Sequence, residues 1–561
     1  MIDLHKMTND SPRKYGTPHD TWRPNQYALF QSVKANAGKF IIAEMGTGSG
    51  KSAIATAMGH DQNVLVVVHT LGLLDQYAQL YNFSIIKGRQ EYPCVHASKV
   101  AAWKSLYGDK IAPTATDCHY SPMHKCEFAI ECPYLVAKQI AISAKRAACT
   151  YRYVGVSQLM KERTGQIVLD EAHDAAEELI RFNEFVYKYS TLRKHKLQTF
   201  PIPTYGVEGR GAVLTGDGKA KVATWLTNCI GQLGQSETEA VNVPMLGGDT
   251  FWGDAEFSDN TDDGIDKELT KRQRIRDRFV RMLESLYTVD WFLQVKPYEV
   301  SLKALSAVSV ANQVFAHKST KLLMSATIGN PEPLAKALGI HNYEFLTFTH
   351  PVPKSHRSIK KLGVDRMTAR NLKERPQLYK EQASAIWEWI VRMPPSWRGV
   401  ILTTSYKKIE ELYRHLLIPT SIAPNERRLM RQQKGERVSA LVERFVTDVK
   451  PGDIMVGTIQ GWGSGLDLRG ELSRWIVVAG VPHVNPTDQY MKARREADGG
   501  QAYQKWVTFN AVMQACGRVS RGEYDDLADD WLPNYAALAD GSALSPTALK
   551  YYGQWFLDAL I

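Results

Sequence analysis

Residues 43–52 read Ala-Glu-Met-Gly-Thr-Gly-Ser-Gly-Lys-Ser, and the rest of the chain takes its meaning from them. Gly46-Thr47-Gly48-Ser49-Gly50-Lys51-Ser52 satisfies the phosphate-loop pattern and follows the apolar, strand-like run Phe40-Ile41-Ile42, as that motif requires. The glycines let successive backbone N–H groups turn inward around phosphate oxygens, and the N-terminus of the following helix adds favourable potential for an anion. Lys51 can reach the β- and γ-phosphates of a nucleotide, and the Ser52 hydroxyl can ligate magnesium. Alone, the stretch predicts a phosphate cradle; a plain Gly/Ser loop before a helix is the simpler alternative.

The surrounding chain of 561 residues is long enough for roughly three or four domains. Its 44% apolar and 23% charged composition is that of an ordinary globular protein. A formal charge of +10, from 69 basic against 59 acidic residues, is a weak vote for a polyanionic partner. The start, Met-Ile-Asp-Leu-His-Lys, has no apolar signal region, and no apolar run reaches the roughly 18 residues of a membrane span. A cytoplasmic protein with no membrane partner is therefore expected, and its seven cysteines are not expected to form structural disulfides.

Downstream, Ile167-Val168-Leu169-Asp170-Glu171-Ala172-His173 is an apolar strand ending in paired carboxylates. In the same sheet as the phosphate loop, Asp170 would reach the magnesium and Glu171 would orient or deprotonate water, the division of labour that phosphoryl hydrolysis needs. Without Lys51 and Ser52 the pair would more often mark a helix N-terminus. His173 has no metal-site spacing and reads as a coupling contact to another lobe. Arg23-Pro24-Asn25-Gln26 opens a helix from which Arg23 and Gln26 could hydrogen-bond an adenine edge, although a solvated helix start explains them equally well. Thr70 and Gln76, after the strand Asn63–Val68, are placed to touch nucleic-acid phosphate, with a helix cap as the alternative for Thr70.

Between these motifs lie Cys94, Cys118, Cys126 and Cys132. Four thiolates can hold zinc or an iron–sulfur cluster; the spacing lacks the short pairs of zinc ribbons, and His96, His119 and His124 leave mixed ligation open. So small an insertion cannot build a large core, and a metal centre would supply the missing folding energy.

Residues 175 to about 320 are less patterned: Asp174 to Phe185 and Arg272 to Phe292 read as helices, Gly206 to Gly218 and Glu256 to Asp266 as loops, predicting a mostly helical accessory domain. Ser325-Ala326-Thr327 then follows a strand at Lys321–Met324, where it could meet a translocating strand or a partner lobe. A second α/β unit contains Gly399 to Tyr406, including Thr404, read as a strand feeding a helix, and a glycine-rich loop in which Gly463, Gly465 and Asp467 stand. Gln514, Arg518 and Arg521 fall on one helix near the end, the two arginines three apart and so on one face. Such arginines neutralise charge that develops on a γ-phosphate when two lobes close.

Taken together, residues 23 to 526 resemble the superfamily 2 DNA helicases of the XPD/DinG type, the iron–sulfur DEAH group. Arg23-Pro24-Asn25-Gln26 resembles the adenine-reading Q motif, Gly46 to Ser52 motif I, His69-Thr70 through Gln76 motif Ia, and Asp170-Glu171-Ala172-His173 motif II. Ser325-Ala326-Thr327 resembles motif III, the strand ending at Ser405-Tyr406 motif IV, Gly463 to Asp467 motif V, and Gln514 to Arg521 motif VI. Lys87-Gly88-Arg89-Gln90-Glu91-Tyr92-Pro93-Cys94 is similar to the phrase that carries the first cluster cysteine in DinG-like proteins. The chain departs from that pattern in the longer gap from Cys118 to Cys126, in Asp174 where the XPD branch often has asparagine, and after Arg521.

The resemblance implies an α/β fold of two RecA-like motor domains. It places motor domain 1 at 21–87, 134–175 and 310–337 after a lead-in at 1–20, an iron–sulfur domain at 88–133, an arch-like helical insertion at 176–309, and motor domain 2 at 338–561. It implies a monomeric bacterial or phage enzyme that uses ATP, Mg²⁺ and a [4Fe–4S] cluster on Cys94, Cys118, Cys126 and Cys132. The implied activity is 5′-to-3′ movement on single-stranded DNA and unwinding of forked duplex. A translocase that displaces protein or resolves DNA–RNA hybrids, and a non-catalytic nucleic-acid-binding adaptor, are the alternatives.

Overall fold

The phosphate-loop strand is the second strand of a seven-stranded parallel sheet, and the order of that sheet decides which loops meet. The computed structural model describes residues 11–23, 25–46, 49–96, 100–101, 104, 113–115, 128–182, 184–200, 211–234, 265–348, 350, 352–422, 427–460, 472–519, 524–525, 530–531 and 534–561. In the first half of the chain the strands are β1 (Phe40–Glu44), β2 (Val64–Val68), β3 (Ser84–Ile86), β4 (Arg146–Thr150) and β5 (Gly165–Asp170). An inserted unit contributes β6 (Phe185–Lys188), β7 (Gly211–Val213), β8 (Trp291–Lys296) and β9 (Glu299–Ala304), after which β10 (Lys318–Ser325) and β11 (Tyr343–Thr347) return to the first sheet. Its order is β11-β1-β10-β5-β2-β4-β3.

Helices cover both faces of this sheet, so its strands read as unbroken apolar runs such as Val64-Leu65-Val66-Val67-Val68, all five buried. β10 pairs with β1 on one side, Glu44 opposite Ser325, and with β5 on the other, Met324 opposite Asp170. The ends of β1, β10 and β5 therefore deliver the phosphate loop, Ser325 and Asp170 to one sheet edge, where an open α/β sheet places its ligand.

The boundaries differ from the sequence expectation in four places. β11, expected in the second motor domain, is the edge strand beside β1. The helix Ala175–Phe182 buries Ala175, Ala176, Leu179 and Ile180 in the first lobe's core, so the insertion starts after it. The insertion carries a four-stranded antiparallel sheet, β6-β9-β8-β7, beside the helices Gly216–Gly234 and Ile265–Ser285. The helix expected to run to Phe292 ends at Ser285, because Trp291 to Lys296 pairs with both β7 and β9. Phe185, Trp225, Phe279 and Trp291 build a separate core there, and each large side chain contributes about 2–3 kcal/mol of burial. Over residues 11–22 the chain is docked on the first lobe: Tyr15 packs edge-on to Phe30 at 4.7 Å and its carbonyl accepts from Arg146.

Lobe 2 is a six-stranded parallel sheet formed by β12 (Ile359–Lys361), β13 (Gly399–Thr403), β14 (Leu429–Arg431), β15 (Ile454–Thr458) and β16 (Trp475–Val478), with a two-stranded ribbon of β17 (Tyr524–Asp525) and β18 (Asp530–Trp531) before its last strand, β19 (Tyr535–Leu538). Its order is β12-β19-β16-β13-β15-β14. The helix Gly500–Val519, which carries Gln514 and Arg518, buries Phe509, Val512, Met513, Ala515 and Cys516 in this lobe's core.

Candidate active site

Three residues at the end of the first sheet converge on the phosphate loop. Lys51, the first residue of the helix Lys51–Met58, has Nζ 3.8 Å from Glu171 Oε1. Asp170, 4% exposed, accepts the Glu171 backbone N–H on Oδ1 at 3.0 Å and the Tyr77 hydroxyl on Oδ2 at 2.9 Å. Burial, then the adjacent Glu171 charge, pushes its carboxyl up to about 6, while Lys51 and the Tyr77 hydrogen bond pull the other way. Ser52 also acts on the Tyr77 phenol, so one buried hydroxyl stands beside both residues expected to hold magnesium. Its sequence neighbourhood signals only a helix core, in which it stands with Leu74 and Tyr81.

Glu171 occupies the left-handed region at φ 51°, a conformation that costs a non-glycine residue about 1–3 kcal/mol and is held here by its partners. Its Oε2 accepts from the Ser325 hydroxyl at 3.3 Å, and His173 Nδ1 is 2.7 Å from the same hydroxyl. On its other side His173 Nε2 lies 3.2 Å from Asp174 Oδ2, which is also 3.3 Å from His69 Nδ1. Although burial opposes it, Asp174 and Glu171 hold the His173 imidazole above its ordinary value. Against its own burial cost, Asp174 is held down to about 2 by His173 and His69. The hydrogen-bonding and ion-pair neighbours of His173 lie in its own lobe, while the charge of Arg518 reaches it from the other.

The crossing between lobes is made by Ser325-Ala326-Thr327 and the residue after it. Asn510, on the helix Gly500–Val519, donates from Nδ2 to the Thr327 carbonyl and accepts the Thr327 hydroxyl on Oδ1 at 3.2 Å. Oδ1 also accepts from Gln514 Nε2 at 2.8 Å, one turn further along. Trp506 Nε1 donates to the Ile328 carbonyl at 2.7 Å. Thr327 is buried at 2% exposure, with its hydroxyl engaged in the lobe contact. Arg518, half-buried on the same helix, acts electrostatically on His173. A second tie joins Arg494 to Glu177 through two hydrogen bonds of 2.8 and 3.0 Å.

The family of helicase C-terminal domains matches residues 390–528, and the family of type III restriction enzyme res subunits matches residues 20–198. An XPD helicase structure covers 94% of this chain and 97% of its own at 16% identity and a TM-score of 0.55. Xpd4 of S. tokodaii covers 92% and 96% at 13% identity with 0.51, and an apo XPD structure 91% and 94% at 14% with 0.50. The chain shares its fold with these XPD structures, and its residues 390–528 match the helicase C-terminal domain family. No curated protein matches the sequence. At these identities the likeness to the solved XPD structures is one of fold.

Within this helicase fold the remaining predicted residues divide. Gln26 lies over the phosphate loop: Nε2 donates to the Ser49 and Gly50 carbonyls at 2.8 and 3.0 Å, and Oε1 accepts the Arg23 N–H at 2.7 Å. Both ends of the amide are engaged, so Gln26 buttresses the loop, and an adenine edge would have to displace these bonds. Gly50, at φ 78°, has no room for a side chain because a Cβ would stand 2.0 Å from Gln26 Nε2. Thr70 caps the helix Leu71–Tyr81 by accepting the Leu73 N–H at 3.3 Å, the plainer of its two readings; Gln76 is exposed. Thr404 stands at the end of β13, half-buried. Cys94 follows a backbone bridge between Pro93 and Thr114, and Cys132 precedes the helix Pro133–Ser143, whose last carbonyls accept from Arg163. Thr47, Gly48, Cys118, Cys126, Gly463, Asp467 and Arg521 lie outside the described residues. Among the described residues no group of three or more His, Cys, Asp or Glu could hold a metal ion, and no helix is long and apolar enough to cross a membrane.

Proposed function

We propose that the chain hydrolyses ATP between its two lobes to move 5′ to 3′ along single-stranded DNA and unwind duplex, and that the observation carrying this is the joint between the hydrolytic edge and the arginine helix. Lys51, Asp170 and Glu171 stand at one sheet edge, and Asn510 ties the loop beside them to the helix of Gln514 and Arg518.

Lys51 would bind the β- and γ-phosphate oxygens, exchanging its distant Glu171 contact for them. Ser52 and Asp170, the latter oriented by the Tyr77 hydroxyl, would hold the magnesium, which would supply neutralising charge to the phosphates. Released from Lys51, Glu171 would accept a proton from the attacking water while Ser325 and His173 keep its carboxylate aimed. Arg518 and Arg521 would stabilise the charge gathering on the γ-phosphoryl oxygens, and Gln514, fixed by Asn510, would report lobe closure. Direction and DNA as the substrate rest on the family resemblance. Contacts mainly to phosphate would make binding strongly salt-dependent and weakly sequence-dependent.

Cys94 and Cys132 suit the cluster. Of the five described cysteines, burial pushes Cys149 and Cys229 up to about 12 and raises Cys516 as well, whereas Cys94 and Cys132 are only half-buried, Cys132 at the margin of the first lobe's core. With Cys118 and Cys126 they would ligate a [4Fe–4S] centre that supplies folding energy to residues 88–133. The test is strand displacement from duplexes with a 5′ or a 3′ single-stranded tail, with Lys51→Ala as the control.

A further inference from the structure

The turn that ends lobe 2 touches the phosphate loop's own strand. The Tyr551 carbonyl accepts the Asn330 N–H at 3.3 Å and lies where a side chain on Gly329, at φ +59°, would stand, 1.9 Å from that Cβ position. Gly553 packs on Glu44, the last residue of β1, so closely that a Cβ would be 2.0 Å from Oε1. Glu44, 4% exposed, accepts the Gly329 N–H on Oε2 at 2.6 Å. The Trp555 ring lies 5.6 Å from His350, with its Cη2 3.6 Å from the Cβ position of Gly517 on the arginine helix. His350 in turn fills the space beside Gly46, the loop's first glycine, where a Cβ would be 2.5 Å from Cδ2. The Trp555 indole N–H is buried without a hydrogen-bond partner among the described residues, next to the Glu44 carboxyl.

We propose that residues 551–555 are a positioning element of the ATPase, fastening the phosphate loop to the arginine helix through Glu44, His350 and Trp555 so that turnover depends on this seam being closed. The proposal rests on the ATPase reading above. None of the three side chains belongs to the motifs that carry the chemistry, and Trp555 and Glu44 come from opposite lobes.

The seam also carries a titration. Burial pushes Glu44 up to about 7, offset in part by the N–H groups of Gly329 and Ile328 and by the Trp555 indole. Around it, burial with the charges of Arg357 and Lys51 holds His350 down to about 3. Arg357 is balanced by Asp558, and burial with the Glu332 charge raises Tyr551. Glu44 is thus the member of this group whose charge changes near neutral pH. An acid raised on closure favours the closed seam while protonated and loses that preference as pH rises from its ordinary value of 4.5 through about 7.

The experiment follows ATP turnover by the full-length chain with saturating single-stranded DNA, from roughly pH 6 to 8.5, in the wild type, Glu44→Gln, Trp555→Phe, Trp555→Ala and Lys51→Ala, with thermal midpoints for each. The wild-type kcat is expected to fall about threefold or more across that range, the Glu44→Gln profile to flatten at unchanged KM, and Trp555→Ala to lose about tenfold in kcat with Trp555→Phe retaining most of it. A Glu44→Gln profile that superimposes on the wild type, with Trp555→Phe and Glu44→Gln both folded, overturns the seam. Turnover that survives Lys51→Ala instead overturns the ATPase reading beneath it.

Discussion

Replacing Asn510 by alanine tests the joint between the lobes. The side chain is 3% exposed and makes three hydrogen bonds, two to Thr327 and one to Gln514. Removing it leaves the Thr327 carbonyl and hydroxyl buried without those partners, at about 1–3 kcal/mol for each unsatisfied group, less where water enters the space. A net loss of about 2–4 kcal/mol in the closed state is expected, which at about 1.4 kcal/mol per decade is roughly 30- to 1,000-fold in turnover. Asn510 does not touch the phosphate loop, so KM for ATP should move by less than about threefold. Asn510→Asp keeps the acceptor for Thr327 and Gln514 but loses the donor to the Thr327 carbonyl, and should fall between alanine and wild type. Steady-state ATPase assays with single-stranded DNA, run beside thermal denaturation, separate lost coupling from lost fold. An Asn510→Ala protein that folds and turns over within about twofold of wild type would refute the reasoning.

Tyr77→Phe removes the hydroxyl that orients Asp170; about 1–1.5 kcal/mol is at stake, and the magnesium concentration for half-maximal ATPase should rise roughly tenfold. Asp174→Asn should destabilise the protein by about 2 kcal/mol at neutral pH, because a carboxyl lowered from 3.8 to about 2 contributes stability above its ordinary value. In the wild type that contribution should disappear as pH falls from 3.8 toward 2, so denaturant midpoints of the two proteins should converge in acid. Cys94→Ser should abolish bound iron and any absorbance band near about 400 nm, whereas Cys229→Ser, deep in the inserted unit's core, should keep both.

The hydrolytic edge was legible because its chemistry is local. A loop that must cradle phosphate needs glycines in sequence, and a strand that ends in Asp170-Glu171 carries its own apolar signature. What joins the lobes left no such mark: Asn510, Trp506, Arg494 and Trp555 are single residues on ordinary amphipathic or apolar stretches, and their partners lie 178 or more positions away for Trp506, Asn510 and Arg494. Gln26 is ambiguous in a different way, since an amide suited to an adenine edge is equally suited to the two loop carbonyls it meets here. In the insertion β7 is only three residues long and far in sequence from its partner β8, so that pairing left no local mark, whereas the alternating run Glu299–Ala304, two residues after β8, carries a hairpin signal that the helical reading to Phe292 obscured. The edge strand β11 was assigned to the wrong lobe for want of any motif in Tyr343–Thr347.

Unwinding polarity tests the account most directly. With protein containing its full complement of iron, ATP and magnesium should drive displacement from a duplex with a 5′ single-stranded tail and not from one with a 3′ tail, and Lys51→Ala should abolish it. Displacement confined to the 3′-tailed duplex, or displacement that persists in Lys51→Ala, would contradict it.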